Sequence, residues 1–212
     1  MKKQIDAFAQ LLIDPKSFFK NDLETNDKNL FAIAMVVFCI GYGIDRMDRQ
    51  LVKLDLRGTL DEFGFFNTWI GYWSISIIGG AIGGYILYLI GGWFYHVRVK
   101  WSKGKGDLDH SRRLYLFSNF YLYLSIALVS VCATLILSRP YDPYAEFSVF
   151  DGITGIVVIL AIFYTIYISF SGVMSTTEAE RTRAVIWFIV LPAFFYIVSF
   201  SALIALLAFE WF

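Results

Sequence analysis

Two cysteines and two histidines in 212 residues leave little for several common chemistries. Cys39 and Cys132 both fall inside apolar runs, so a disulfide framework is not expected and each thiol reads as a small buried apolar group. His96 and His110 form no HExxH and no Cys/His metal spacing, and neither a nucleophile elbow nor a paired-carboxylate site stands out. The expectation is a chain that is not an enzyme and holds no metal and no cofactor. The longest apolar stretches also lack charge, and no ionisable residue stands at the middle of one, which argues against a proton- or ion-coupled pump.

What is present is apolar: 58% of residues are hydrophobic and 19% aromatic. Five runs are candidates to cross a bilayer: Leu30 to Ile44, Trp69 to Tyr95, Leu114 to Leu137, Gly152 to Met174 and Ala184 to Phe209. The first is short, rising only about 22 Å against a hydrocarbon core of about 30 Å. Trp69 and Trp73 open the second span, Trp93 and Trp101 close it, and Trp187 and Trp211 bracket the fifth, where indoles favour the membrane interfaces. The expected fold is an all-α integral membrane protein in two parts, residues 1–29 and a five-helix domain over 30–212.

The formal net charge of zero conceals a strong asymmetry. Five lysines precede the first span (Lys2, Lys3, Lys16, Lys20, Lys28). The second connection carries Arg98, Lys100, Lys103, Lys105, Arg112 and Arg113, and the fourth carries Arg181 and Arg183. The other side has only Arg46, Arg49, Lys53, Arg57 and Arg139. By the positive-inside tendency the N-terminus lies inside and the C-terminus outside, as five spans require. The six cations of the second connection are candidate contacts for anionic lipid or a protein partner rather than nucleic acid.

Outside the spans, residues 4–20 place Ile5, Phe8, Leu11 and Leu12 at helical spacing before Pro15. This predicts a short amphipathic helix ending near Asp14, either on the inner membrane face or packed beneath the bundle. Ile44, Met47, Leu51 and Leu54 predict that the first helix continues outward, with a charged opposite face, until Gly58. SRPYDPY, residues 138–144, specifies a rigid turn that meets the first connection on the outer face. Asp151 is expected as an N-cap, Thr177 with Glu180 as a capping box, and Pro192 as a kink in the fifth helix.

The second span contains GGAIGG, residues 79–84. No strand precedes it and no GK[ST] follows, so packing is favoured over phosphate binding. At about 100° per residue, Gly80, Gly84 and Gly91 line one face with Ser76 and Gly83 at its margins, and Gly79 with Gly83 repeats the spacing beside it. Small residues four apart allow helices in lipid to approach closely. The partner helix is open at this point: it belongs to the same chain or to a second copy. Among the sparse polar residues of the spans, Asn119 and Thr165, together with Pro192, are candidates to line a path.

LLIDPKSFF near the start, the glycine-rich span leading into IGGWFYHVRVKW, and the following GKGDLDHSRRLYLFSNF give the chain its closest pattern match. With five spans and the N-terminus inside, it resembles the Yip1 domain family over nearly its whole length. The form is similar to the short bacterial members, which implies a bacterial inner membrane. It lacks the longer N-terminal region and the DLxGP pattern of the eukaryotic branch, so that branch's association with Rab-type GTPases is not implied. Two functions are expected from the whole: a non-enzymatic membrane protein organising membrane or protein assemblies, with lipids, a second copy or another membrane protein as partners, or a transporter or channel for a small solute, ion or lipid.

Overall fold

The computed structural model describes residues 2–21 and 27–209. Helices account for most of these residues, no strand occurs among them, and five helices are long and apolar enough to cross a membrane. Helix α1 spans Lys2–Ile13 and α2 spans Pro15–Asn21, with Asp14 between them as the proline requires.

The first spanning helix, α3, covers Lys28–Leu56. Asp27 starts it by accepting from the N–H groups of Asn29 and Leu30 at 2.9 and 3.3 Å. Ile44, Met47, Leu51 and Leu54 are all buried, as the outward continuation requires, and Gly58 stops the chain with φ +67°. A 29-residue helix rises about 43 Å, so the apparent shortfall of the first span disappears.

A short 3-10 turn, Gly64–Asn67, leads to α4, which runs Trp69–Trp101 between its predicted indoles. The third span breaks at Asn119 into α5, Leu108–Ser118, and α6, Phe120–Ile136. The fourth is α7, Val149–Thr176. Its N-cap is Ser148 rather than Asp151; Asp151 is the third helical residue, and its carboxylate accepts from the Ser148 N–H at 2.8 Å, closing a capping box. The expected Thr177–Glu180 box is absent. Thr177 donates to the Val173 carbonyl at the end of α7, while the Glu180 carboxylate is drawn to Lys103 and Arg183.

The fifth span starts with α8, Arg181–Val185, passes through a π-helical turn, Ile186–Val190, and continues as α9, Leu191–Phe209. The bundle therefore has a basic end, carrying the α4–α5 and α7–α8 connections, and a far end, carrying the α3–α4 and α6–α7 connections. The two far connections meet as expected. Asn67 donates to the Tyr141 carbonyl at 2.9 Å and accepts from its N–H at 3.0 Å, and Tyr141 donates its hydroxyl to Asp55 at 2.9 Å.

The N-terminal helices pack on the bundle. Leu11, Phe18 and Phe19 are fully buried, and Phe8 stacks on Phe120 with centroids 4.2 Å apart. Tyr121 and Tyr164 donate to the carbonyls of Phe8 and Leu12. Tyr164 stands 12 residues before Thr176, about 18 Å along α7, so α1 lies against the flank of the spans rather than beneath them. Ile5, Leu12 and Ile13 remain exposed on its outer side.

Candidate functional site

Helix α4 meets α3 through the small residues of one face. Ser76, Gly80 and Gly84 are buried there. A Cβ added at Gly84 would lie 2.8 Å from the Cys39 Cα, and one at Gly80 would strike the Cys39 carbonyl oxygen. From the other side, a Cβ at Gly43 would meet the Gly80 Cα at 2.9 Å. The glycine face thus closes a seam inside this chain, gaining dispersion contacts that lipid tails could not match between bulkier helices. Three expected members lie outside this closest approach, though Gly83 still meets a side chain of α3. Gly91 faces Tyr115 of α5, Gly83 faces the Tyr42 ring at 2.8 Å, and a Cβ at Gly79 would meet nothing within 4 Å. The angular offset of one residue leaves Gly79 outside the seam that Gly80 closes.

The six cations expected at the basic end are dispersed among different tasks. Lys103 pairs with Glu180 at 2.9 Å and Lys105 with Glu178 at 2.6 Å. Two backbone bonds zip the same connections together: Lys105 N–H to the Thr177 carbonyl at 2.6 Å, and Glu180 N–H to the Ser102 carbonyl at 2.9 Å. Hydrogen bonding to Lys105 and Lys103 holds the Glu178 and Glu180 carboxyls below their ordinary value. Both histidines act as struts, His96 to Ser111 and His110 to Thr176, each at 2.9 Å. No cluster of potential metal ligands occurs among the described residues.

Arg98 is half-buried and reaches toward the fifth span. The Leu191 N–H donates to the Ile186 carbonyl, one residue further back than an α-helix would place it. In this register the N–H that should reach the Trp187 carbonyl belongs to residue 192, a proline, which has none. Arg98 supplies the missing donor, with Nε and Nη2 at 3.0 and 2.6 Å from the Trp187 oxygen. Its guanidinium also stacks over the Phe188 ring, 4.2 Å from the centroid. The expected proline kink is therefore a π turn held by a cation from α4.

The remaining cations leave one site. Lys100 is exposed, and Arg112 packs over Gly92 while pairing with Asp109 at 3.4 Å. Arg113, however, joins Lys28 at a cavity of about 290 Å³ whose other walls are Phe31, Tyr88 and Asp109. This cavity sits between the start of α3, α5 as far as Arg113, and the middle of α4. Phe31 and Tyr88 meet edge to face across it, with centroids 6.0 Å apart. Two cations above an aromatic wall can hold an anionic group while its apolar body rests on the rings. Lys28, Phe31 and Tyr88 carried no distinct signal in the sequence, because only the crossing of three helices brings them to Arg113.

No hydrogen bond among the described residues joins the candidate path residues to one another. Asn119 donates to the Tyr115 carbonyl at 2.8 Å and Thr165 to the Ala161 carbonyl at 3.0 Å, each within its own helical segment. Pro192 belongs to the π turn beside Arg98. Of the cysteines, Cys39 is buried in the α3–α4 seam, whereas Cys132 is exposed on α6. A polar chain that the sequence did not announce crosses the far end: the Tyr72 hydroxyl lies 2.8 Å from Asp48 and 3.2 Å from Ser130, linking α3, α4 and α6.

Comparison with models of protein families finds a match over nearly the whole chain. The model of the Yip1 domain covers residues 9–203. No curated protein and no solved structure matches the chain.

Proposed function

The chain belongs to the Yip1 domain family, and from that premise we propose that it is a non-enzymatic membrane protein that organises membrane or protein assemblies by holding anionic lipid at its basic end. The observation that carries this reading is the cavity where Lys28 and Arg113 converge over Phe31 and Tyr88. A phosphate headgroup complements the two cations, and Asp109 supplies an acceptor for a headgroup hydroxyl. The charge asymmetry of the connections supports placing this end inside, and the likeness to short bacterial members supports a bacterial inner membrane.

Assembly then uses surfaces other than the glycine face, which is occupied by α3. Ile153, Ile156 and Leu160 on α7 and Phe194 and Phe195 on α9 are exposed apolar side chains available to lipid, a second copy or another membrane protein. The transport reading has less support, because Asn119 and Thr165 spend their donors on their own helices.

Native mass spectrometry from nanodiscs of mixed phosphatidylglycerol and phosphatidylcholine tests the proposal. Wild type retains phosphatidylglycerol selectively, and Lys28→Gln with Arg113→Gln retains one molecule fewer per chain. Equal retention by the two proteins would overturn it.

A further inference from the structure

A second cleft lies on α3 and α4 toward the far end, on the side of α4 that the seam leaves open. It encloses about 310 Å³ between Tyr42, Arg46 and Gln50 of α3, Phe66 of the 3-10 turn, and Ile75 and Gly79 of α4, with Gly83 at its inner limit. Arg46 stands 18 residues after Lys28, about 27 Å along the helix. That is close to the thickness of a hydrocarbon core of about 30 Å, so Arg46 and Lys28 stand at opposite membrane interfaces.

The cleft is graded along its length. At the interface, the guanidinium of Arg46 lies over the Tyr42 ring, 5.1 Å from its centroid, and has no carboxylate partner among the described residues. The neighbouring acids are engaged otherwise: Asp45 pairs with Arg49 at 2.9 Å and Asp48 accepts from Tyr72 at 2.8 Å. Gln50 adds an amide beside Arg46. From Ile75 to Gly83 the wall extends inward by about 12 Å, without a charged side chain on the α4 side. An uncompensated cation at the membrane surface, above an apolar trough that points toward the membrane centre, complements a molecule with an anionic head and a hydrocarbon tail.

We infer that this cleft seats one anionic phospholipid at the far end of the bundle, its phosphate on Arg46 and Gln50 and part of one acyl chain along Gly79 toward Gly83. The position is separate from the basic-end cavity, and the two would place lipids on opposite faces of the membrane against the same pair of helices. A free phosphate satisfies the cation but leaves the trough unused.

Gly79 provides the means to test this, because it lines the cleft and a Cβ added there meets no neighbouring atom within 4 Å. The experiment counts retained lipids by native mass spectrometry in the Lys28→Gln, Arg113→Gln background, so that loss of the basic-end site is already accounted for. In nanodiscs of phosphatidylglycerol and phosphatidylcholine, that protein retains one phosphatidylglycerol per chain. Adding Gly79→Leu abolishes retention while the thermal midpoint stays unchanged, and adding Arg46→Gln instead weakens it at least about tenfold. Unchanged retention in both variants, no preference for the anionic lipid, or displacement by inorganic phosphate would each overturn the assignment.

Discussion

Helix α4 joins its two neighbours by opposite means. Toward α3 it offers almost no side chain, and the backbones approach until a single Cβ at Gly84 would collide with Cys39. Toward the fifth span it extends a full guanidinium, which donates to a carbonyl left unpaired by Pro192. The first joint depends on shape and the second on one polar contact. In a membrane both are economical: close packing replaces the hydrophobic gain that lipid cannot give, and an internal donor replaces water that is absent.

This contrast orders the expected effects of substitution. Gly84→Leu or Gly80→Leu forces α3 and α4 apart and costs at least about 3 kcal/mol, read as loss of the folded species in detergent by circular dichroism. Gly79→Leu, one residue from Gly80, leaves the melting transition in place; an equal loss there would erase the distinction between the two faces. Arg98→Met orphans the Trp187 carbonyl and costs about 1–3 kcal/mol, with Arg98→Lys intermediate because an ammonium lacks the planar fork. A larger loss from Arg98→Met than from Gly84→Leu would reverse the ranking of the two joints.

Smaller effects belong to the ends. Asn67→Ala removes both bonds to the Tyr141 backbone and costs about 1 kcal/mol, visible as faster amide exchange near residues 139–144. At the basic end, the Glu178 and Glu180 carboxyls titrate below their ordinary value of 4.5 because their charged forms are bonded to lysines. Their contribution is present above that value and is lost as pH falls through the lowered folded pKa. Both are exposed ion pairs, so the effect is the smallest of the series and diminishes with salt. Exchange of the Lys105 and Glu180 amides, compared at neutral pH and below pH 4, measures it.

The parts of this fold that were legible in the sequence are those written in local pattern. Apolar runs and flanking indoles marked the spans, and the Ile44, Met47, Leu51, Leu54 stripe marked the outward continuation of α3. Glycine spacing revealed which face of α4 could accept a close neighbour, but spacing describes what a helix permits, not which helix arrives. The α7 cap was misread by one turn, although Ser148 and Asp151 carried the right spacing. Arg98 was counted with the surface cations because its role exists only when a π turn on a distant segment leaves a carbonyl unpaired. For the same reason Lys28, an orientation charge in the sequence, became a candidate ligand-binding residue only once α3, α4 and α5 crossed.

The most direct test of the account is whether the glycine face of α4 closes within one chain. In a Cys132→Ser background, Gly84→Cys is paired with the native Cys39, whose Cβ lies 3.2 Å from the Cβ position at 84. Because that Cβ position also lies 2.8 Å from the Cys39 Cα, the two backbones part slightly as the bond forms, to the ordinary disulfide spacing of about 3.5–4.5 Å between Cβ atoms. Mild oxidation followed by intact mass under non-reducing conditions should give a monomer two mass units lighter than the reduced chain. Disulfide-linked dimers would contradict it.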